Sequence, residues 1–136
     1  MQRESWDGYI IPKLLQSSAN MNIFFGGEME IPSRVRFADE QVQEAFEKVK
    51  QDDPDLYKRL AQAFENIEQN AFCGIQVPKR QIPNEYDQDY KITNLWKYNL
   101  PDAWRLLNSI ENQQLCVVSI ILEWMNHKDY EWRFHY

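Results

Sequence analysis

The run LCVVSIIL at residues 115–122 is the longest nearly apolar stretch of the chain, and it decides the fold. A strand with one face in water alternates apolar and polar side chains, whereas this run is broken only by Ser119. Such a run predicts a strand buried on both faces, at a central position in a sheet. We predict that this strand spans residues 114–124.

The residues before this run predict two more strands and the turns that join them. Residues 111–113, Glu-Asn-Gln, form a predicted hairpin turn, and residues 103–110 form the strand before it. Residues 99–102, Asn-Leu-Pro-Asp, are typical of a turn, and residues 89–96 are rich in strand-forming side chains. Together the three strands predict an antiparallel meander.

Two amphipathic helices are predicted upstream of the meander. Asp39 is placed to cap a helix over residues 40–50. Asp53, followed by proline, caps a second helix that runs to about residue 71 and ends at Gly74. The tight break between the two helices predicts a helical hairpin.

Residues 34–37, RVRF, alternate polar and apolar side chains, which is the pattern of a half-buried strand. The order of elements is therefore strand, two-helix hairpin and antiparallel meander. This order predicts an α+β domain with the two helices packed on one face of the sheet.

The chain divides into an N-terminal arm, residues 1–32, and a core domain, residues 33–136. The arm holds three of the four glycines and is too short to bury a core of its own. Its apolar clusters at residues 9–11 and 21–25 would form a large patch in water. We therefore expect the arm to bury them against the core domain or against a second subunit, in which case the chain forms a homodimer.

Composition restricts the function. The 136 residues suffice for one domain, and 15 Lys and Arg against 21 Asp and Glu give a net charge of −6. A field of this sign does not attract nucleic acid, so contact with RNA requires a local basic patch. The sequence has neither a signal-peptide pattern nor the about 18 uninterrupted apolar residues of a membrane span. We expect a cytoplasmic protein with no membrane partner.

Cysteine and histidine usage predicts neither a disulfide scaffold nor a metal site. Cys73 and Cys116 stand alone, and we expect both to be reduced and buried. His127 and His135 are the only histidines, and neither belongs to a carboxylate–histidine helix motif. We expect neither a metal ion nor an organic cofactor.

The last third of the chain carries the motifs that bear on function. They are YKITNLWKY at residues 90–98, LPDAWRLL at 100–107, IILE at 120–123 and HKDYEWRF at 127–134. In their order and spacing, these segments resemble the toxins of type II toxin–antitoxin systems, the RelE/ParE superfamily. The resemblance covers about residues 33–136 and leaves out the arm.

The resemblance implies a compact antiparallel sheet that carries two N-terminal helices. Many members of the superfamily cleave messenger RNA, often while it sits in the ribosome, and others poison DNA gyrase. In the RNA-cleaving members, strand lysines and arginines line a concave sheet face. There they bind the RNA backbone, activate the ribose 2′-hydroxyl and stabilise charge on the phosphate.

Carried over by position, the resemblance implies five catalytic residues. Lys91 matches the first strand lysine, and Arg105 matches the arginine of the Trp-Arg-Leu strand. His127 and Lys128 match the cationic position after the last strand, and Tyr130 matches the aromatic beside it. We expect Arg105 and Lys91 to lie on the same concave sheet face.

The expected function is that of a RelE/ParE-like toxin, a metal-independent messenger RNA endoribonuclease that inhibits translation. Its expected partners are an antitoxin protein and messenger RNA in the ribosome. Over residues 87–136, however, five Lys and Arg stand against seven acids, which is a poor basis for phosphate binding. The alternative is a non-nuclease that acts by binding a protein: its antitoxin, a gyrase-like target or a second copy of itself.

Two side-chain assignments stay open in the sequence. Arg105 either belongs to the site or forms an ion pair with a carboxylate such as Glu123 across the sheet. Aromatic residues also occupy alternate positions near the C-terminus, namely Tyr130, Trp132, Phe134 and Tyr136. They form either the buried side of a terminal strand or a platform on which bases stack.

Overall fold

The computed structural model describes residues 9–10, 30–113 and 116–135, with residues 9–10 described as backbone only. The strands in this part of the chain are β1 Tyr9–Ile10, β2 Ser33–Phe37, β3 Ile75–Gln76, β4 Trp96–Asn99, β5 Arg105–Gln113 and β6 Cys116–Met125. Its α-helices are α1 Glu40–Asp52, α2 Pro54–Gln69, α3 Asn84–Tyr90 and α4 His127–Phe134. The protein therefore has the α+β fold that the sequence predicts.

The strand β6 lies in the middle of the sheet, as its apolar run predicts. The strands stand in the order β1-β2-β6-β5-β4-β3, with β6 parallel to β2 and antiparallel to β5. Ser119, the polar break in the run, is fully buried and shares a hydrogen bond of 2.9 Å with the Ser33 hydroxyl. Ser33 in turn donates to the Ile67 carbonyl at 2.8 Å, so this pair of hydroxyls ties α2 to the centre of the sheet.

Both helix starts of the hairpin are confirmed. The Asp39 carboxylate accepts a hydrogen bond from the Val42 amide at 2.9 Å. The Asp53 carboxylate accepts one from the Leu56 amide at 3.1 Å. Each cap satisfies an amide that has no partner within its own helix, and Pro54 occupies a position where its missing N–H costs nothing.

The predicted role of Gly74 as the end of α2 is wrong. The helix ends at Gln69, and Asn70 is its C-cap residue. Gly74 lies against β4, where a Cβ atom would stand 2.6 Å from the Lys97 carbonyl oxygen. The glycine is therefore required by the close approach of two backbone segments, not by helix termination.

The helical hairpin covers one face of the sheet with an aromatic core. Phe37 of β2 contacts Phe46 of α1 and Phe64 of α2, with ring centroids 5.4 and 5.8 Å apart. All three rings are buried, and Leu60 and Ile121 are fully buried in the same cluster. Burial of each such side chain contributes roughly 1.5–3 kcal/mol, which makes this cluster the main stabilising unit of the hairpin.

The opposite face carries a second helical layer that the sequence analysis did not predict. The helices α3 and α4 pack there around a core that includes Tyr86, Leu107, Leu122, Tyr130 and Phe134. None of the described helices is long and apolar enough to cross a membrane. Helices thus cover both faces of the sheet, so the face expected to carry the site is largely occupied.

The meander of β4, β5 and β6 is antiparallel as predicted, but its boundaries differ. The strand predicted over residues 89–96 is wrong, because residues 84–90 form α3 and only Trp96 belongs to β4. Tyr86 and Tyr90 are four residues apart and so share one face of that helix. The turn predicted at residues 111–113 is also wrong, since these residues pair with β6.

The C-terminal aromatic residues do not form a strand. Residues 127–134 are the helix α4, in which Tyr130 and Phe134 lie one turn apart and stack at 4.3 Å. Trp132 points away from them and is exposed. Tyr136 lies outside the described residues. The alternation of aromatic residues therefore separates into two buried rings and one exposed ring.

Part of the N-terminal arm joins the sheet. The residues of β1 pair antiparallel with β2, with Tyr9 opposite Arg36 and Ile10 opposite Val35. The arm thus adds an edge strand. The other expectations for it, including the burial of its apolar clusters at residues 9–11 and 21–25, concern side chains and segments outside the described residues.

Candidate functional site

The end of the β4–β5 ladder places three polar side chains on one face of the sheet. Lys97 and Asn99 are two residues apart in β4, so their side chains leave the strand on the same side. Asn99 pairs with Arg105 of β5, and paired residues also share a face. Lys97 pairs with Leu107, whose side chain belongs to the core beneath α3 and α4. Lys97, Asn99 and Arg105 therefore lie on the face that α4 partly covers.

Tyr130 holds the two cations together. Lys97 Nζ lies 5.2 Å from the centroid of the Tyr130 ring and donates to its hydroxyl at 3.2 Å. Arg105 Cζ lies 5.4 Å from the same centroid. The ring itself is only 3% exposed. We call Lys97, Arg105 and Tyr130 the cation cluster.

The position of Tyr130 follows from the way α4 begins. Asn126 is the residue between β6 and α4, and its side-chain oxygen accepts a hydrogen bond from the Asp129 amide at 2.8 Å. This cap starts the helix directly after Met125, which is the β6 partner of Arg105. The first turns of α4 are thereby held beside the end of β5, with Tyr130 facing inward.

Lys97 and Arg105 have no carboxylate partner among the described residues. Ion pairs there join Lys48 to Asp52, Arg59 to Asp102, His127 to Glu131 and Arg133 to Glu123. Arg105 Nη1 donates to the Trp104 carbonyl at 3.3 Å, and Arg105 Nε is buried without a hydrogen-bond partner. A buried donor without an acceptor costs about 1–3 kcal/mol, and no carboxylate offsets the guanidinium charge within the described residues.

The ion pair between Arg105 and Glu123 is not present. Glu123 accepts instead from the Tyr86 hydroxyl and from Arg133 Nη1, the latter at 2.6 Å. Desolvation by burial and the charge of Glu123 raise the pKa of the Tyr86 phenol well above its usual value. Since Glu123 already has two partners, it does not neutralise Arg105.

Lys91 does not lie on a strand, so this part of the sequence prediction is wrong. It is the exposed C-cap residue of α3 and has the left-handed φ of 55°. The lysine that accompanies Arg105 is Lys97, six residues later. The pattern that could have revealed it is the segment WKYN, whose last residue, Asn99, begins the Asn-Leu-Pro-Asp turn.

His127 and Lys128 lie in the first turn of α4. His127 Nε2 is 2.8 Å from Glu131 Oε2, and 51% of the histidine side chain is exposed. Lys128 is exposed as well. Of the five residues implied by the resemblance, the structure brings together Arg105 and Tyr130 and adds Lys97, with Asn99 beside them.

Potential metal ligands and thiols are dispersed in the described part of the chain. It holds no group of three His, Cys, Asp or Glu residues that could bind a metal ion. Cys73 and Cys116 are both free thiols. Cys73 is exposed and Cys116 is half-buried, so the expectation that both are buried is wrong.

The chemistry available at the cation cluster is the binding of an anion. Arg105 offers guanidinium donors in a planar fork, and Lys97 offers a point charge beside the same Tyr130 ring. A phosphate group accepts hydrogen bonds from both residue types. Comparison with protein-family models, with curated proteins and with solved structures found no match for this chain.

Proposed function

We propose that this chain is a RelE/ParE-like toxin domain of a type II toxin–antitoxin system, acting in the cytoplasm as an endoribonuclease on messenger RNA. Two observations support the proposal. The core domain contains a strand, a two-helix hairpin and an antiparallel meander in the order that the resemblance implies. The arginine of the Trp-Arg-Leu segment also lies in a cation cluster with Tyr130.

The observation that carries the proposal is that neither Arg105 nor Lys97 has a carboxylate partner among the described residues. A structural arginine in a sheet is normally paired with a carboxylate, because an isolated buried charge is costly. Here Arg105 Nε is buried without a partner among the described residues. A group held in this state is poised to receive an anion such as the RNA backbone phosphate.

The cluster supplies charge stabilisation rather than a complete reaction path. Cleavage within RNA by the adjacent 2′-hydroxyl forms a bond from that oxygen to phosphorus and breaks the bond to the 5′ oxygen. Negative charge accumulates on the phosphate oxygens during this step, and fixed cations nearby lower its free energy. Arg105 and Lys97 are the residues that we assign to this role.

Inducible expression tests the proposal. Wild-type protein should arrest growth and bulk translation, and co-expression of its antitoxin should relieve the arrest. Arg105→Ala should abolish the arrest, and the purified variant should lose cleavage of messenger RNA measured in the presence of a chelator.

Arg34→Ala is the matched control for that experiment. Arg34 is an exposed arginine on the same sheet face, in β2 opposite Val118. The seven residues from Val118 to Met125 and two strand spacings place it about 25 Å from Arg105. Toxicity that survives in Arg105→Ala, or that is lost equally in Arg34→Ala, would contradict the proposal.

A second candidate function is protein binding without RNA cleavage. It is favoured by Phe72 and Ile75, which are 45% and 51% exposed near the β3 edge. The same experiment separates the two functions, because a toxin that acts by binding a protein would stay toxic when it carries Arg105→Ala. Its purified form would leave messenger RNA intact.

A further inference from the structure

The outer face of α4 carries an isolated tryptophan. Trp132 is 82% exposed, whereas Tyr130 and Phe134 of the same helix are 3% and 7% exposed. A side chain of this size gains free energy when a flat partner covers it, so Trp132 offers an aromatic face to a ligand. Trp132 lies about 200° around the helix axis from Tyr130, on the side opposite the core.

The residues around Trp132 are charged or polar rather than apolar. Lys128 lies one turn before it on the same side of the helix, and it is exposed. Asp129 and Glu131 are exposed too, and Glu131 is engaged by His127. The hot spot of a protein interface sits in an apolar, water-excluding patch, and the described residues beside Trp132 on α4 do not form one. One aromatic ring beside one lysine fits a nucleobase with its phosphate.

We propose that Trp132 stacks on a base of single-stranded RNA while Lys128 contacts a neighbouring phosphate. This inference rests on the proposed function, because it takes RNA as the ligand of the cation cluster. An α-helix with its side chains is about 10–12 Å across, so the cluster and Trp132 lie on opposite sides of α4. A strand of several nucleotides can reach both, and the stacking contact is tolerant of base identity.

The experiment compares octanucleotide binding with phosphate binding. A fluorescein-labelled 2′-O-methyl RNA octamer, which cannot be cleaved by its own 2′-hydroxyl, is titrated with protein and followed by anisotropy. Inorganic phosphate is titrated separately and followed by the rise in Tm that it causes. Trp132→Ala should weaken octamer binding by roughly 5- to 150-fold, the range given by base–aromatic stacking, without changing the phosphate response.

Three further variants control for the type of contact. Trp132→Phe keeps an aromatic face and should bind the octamer within about threefold of wild type. Trp132→Leu keeps apolar bulk without that face and should bind as weakly as Trp132→Ala. Phe72→Ala removes an exposed aromatic ring near the β3 edge and should bind like wild type.

The outcomes distinguish this inference from the proposed function. If Trp132→Ala binds the octamer as wild type does while Arg105→Ala does not, the stacking contact is absent and RNA binding stands. If Trp132→Leu retains full affinity, the contact is apolar and points to a protein surface, which overturns the inference. If wild type binds neither octamer nor phosphate, both proposals fail.

Discussion

Arg105→Ala separates a binding arginine from a structural one, because the two roles predict different free energies of unfolding. The substitution removes a contact with the Tyr130 ring, worth about 0.5–1 kcal/mol, and part of the packing of the arginine stem. It also removes the buried Nε atom that has no acceptor among the described residues, which recovers about 1–3 kcal/mol. The two effects oppose each other, so the free energy of unfolding should change by less than about 1 kcal/mol.

The same substitution should remove the response to phosphate. Urea unfolding followed by circular dichroism gives the free energy, and a change of about 1 kcal/mol corresponds to roughly 4 °C in Tm for a domain of this size. Phosphate at one hundred times its Kd should stabilise wild type by about 2.7 kcal/mol. Arg105→Ala should lose most of this gain, whereas Arg34→Ala should keep it.

Two results would refute this reasoning. A loss of about 3 kcal/mol or more in the absence of phosphate is the signature of a broken buried ion pair, and would mean that Arg105 has a structural partner. An undiminished phosphate response in Arg105→Ala would mean that the anion binds elsewhere. Either result removes the basis for assigning the site to the cation cluster.

Three further predictions follow from the same contacts. Burial and the Glu123 charge raise the pKa of Tyr86, so the unfolded chain loses this proton at a lower pH than the folded chain does. The contribution of Tyr86 to the free energy of unfolding should therefore be constant below about pH 10 and fall above it. Tyr86→Phe should flatten that decline, as measured by urea unfolding at a series of pH values. Gly74→Ala would bring a Cβ atom to 2.6 Å from the Lys97 carbonyl oxygen. It should therefore lower the free energy of urea unfolding by about 1–3 kcal/mol and weaken the phosphate response. An unchanged variant would show that the segment at Gly74 moves away from β4 without cost. If Lys97, Arg105 and Lys128 make three phosphate contacts, the logarithm of RNA affinity should fall with the logarithm of salt concentration at a slope of about −2.1. A slope beyond about −3 would require further cations.

The elements that the sequence predicts well are those specified by short-range signals. Asp39 and Asp53 cap helices through their own side chains, so three or four neighbouring residues suffice to place each helix start. The run at residues 115–122 predicts a central strand because its burial pattern belongs to the strand itself. Neither signal depends on contacts from elsewhere in the chain.

The misplaced elements depend on tertiary packing. Four aromatic residues of these elements have high intrinsic strand propensity, yet all four lie on short helices of seven or eight residues. They are Tyr86, Tyr90, Tyr130 and Phe134. Helices of that length are marginal in isolation, so they form here because their aromatic faces pack on the sheet. A local pattern cannot report a face that only the assembled sheet provides.

The candidate site is predicted in part for the same reason. The resemblance implies both Arg105 and Tyr130, and the sequence predicts the strand of Arg105 but not the helix of Tyr130. The resemblance implies Lys91 and not Lys97, and β4 has only four residues, too few to fix a register by alternation. Pairing of Asn99 with Arg105 across the intervening turn settles that register, and alternation within a single strand does not report it.

Under the proposed function, the acidic balance of the chain affects how fast RNA associates more than how it is held. At physiological salt, charges beyond about 8 Å are largely screened, so the net charge of −6 acts weakly on a phosphate already in contact with Arg105 and Lys97. Glu123, the carboxylate that the sequence offered as a partner of Arg105, is engaged by Arg133 at 2.6 Å and does not compete for the cluster. The same net charge provides no long-range attraction, and two cations alone give a modest affinity. A contact that does not depend on charge, such as base stacking on Trp132, is therefore the kind of addition that lets an acidic protein retain an RNA strand.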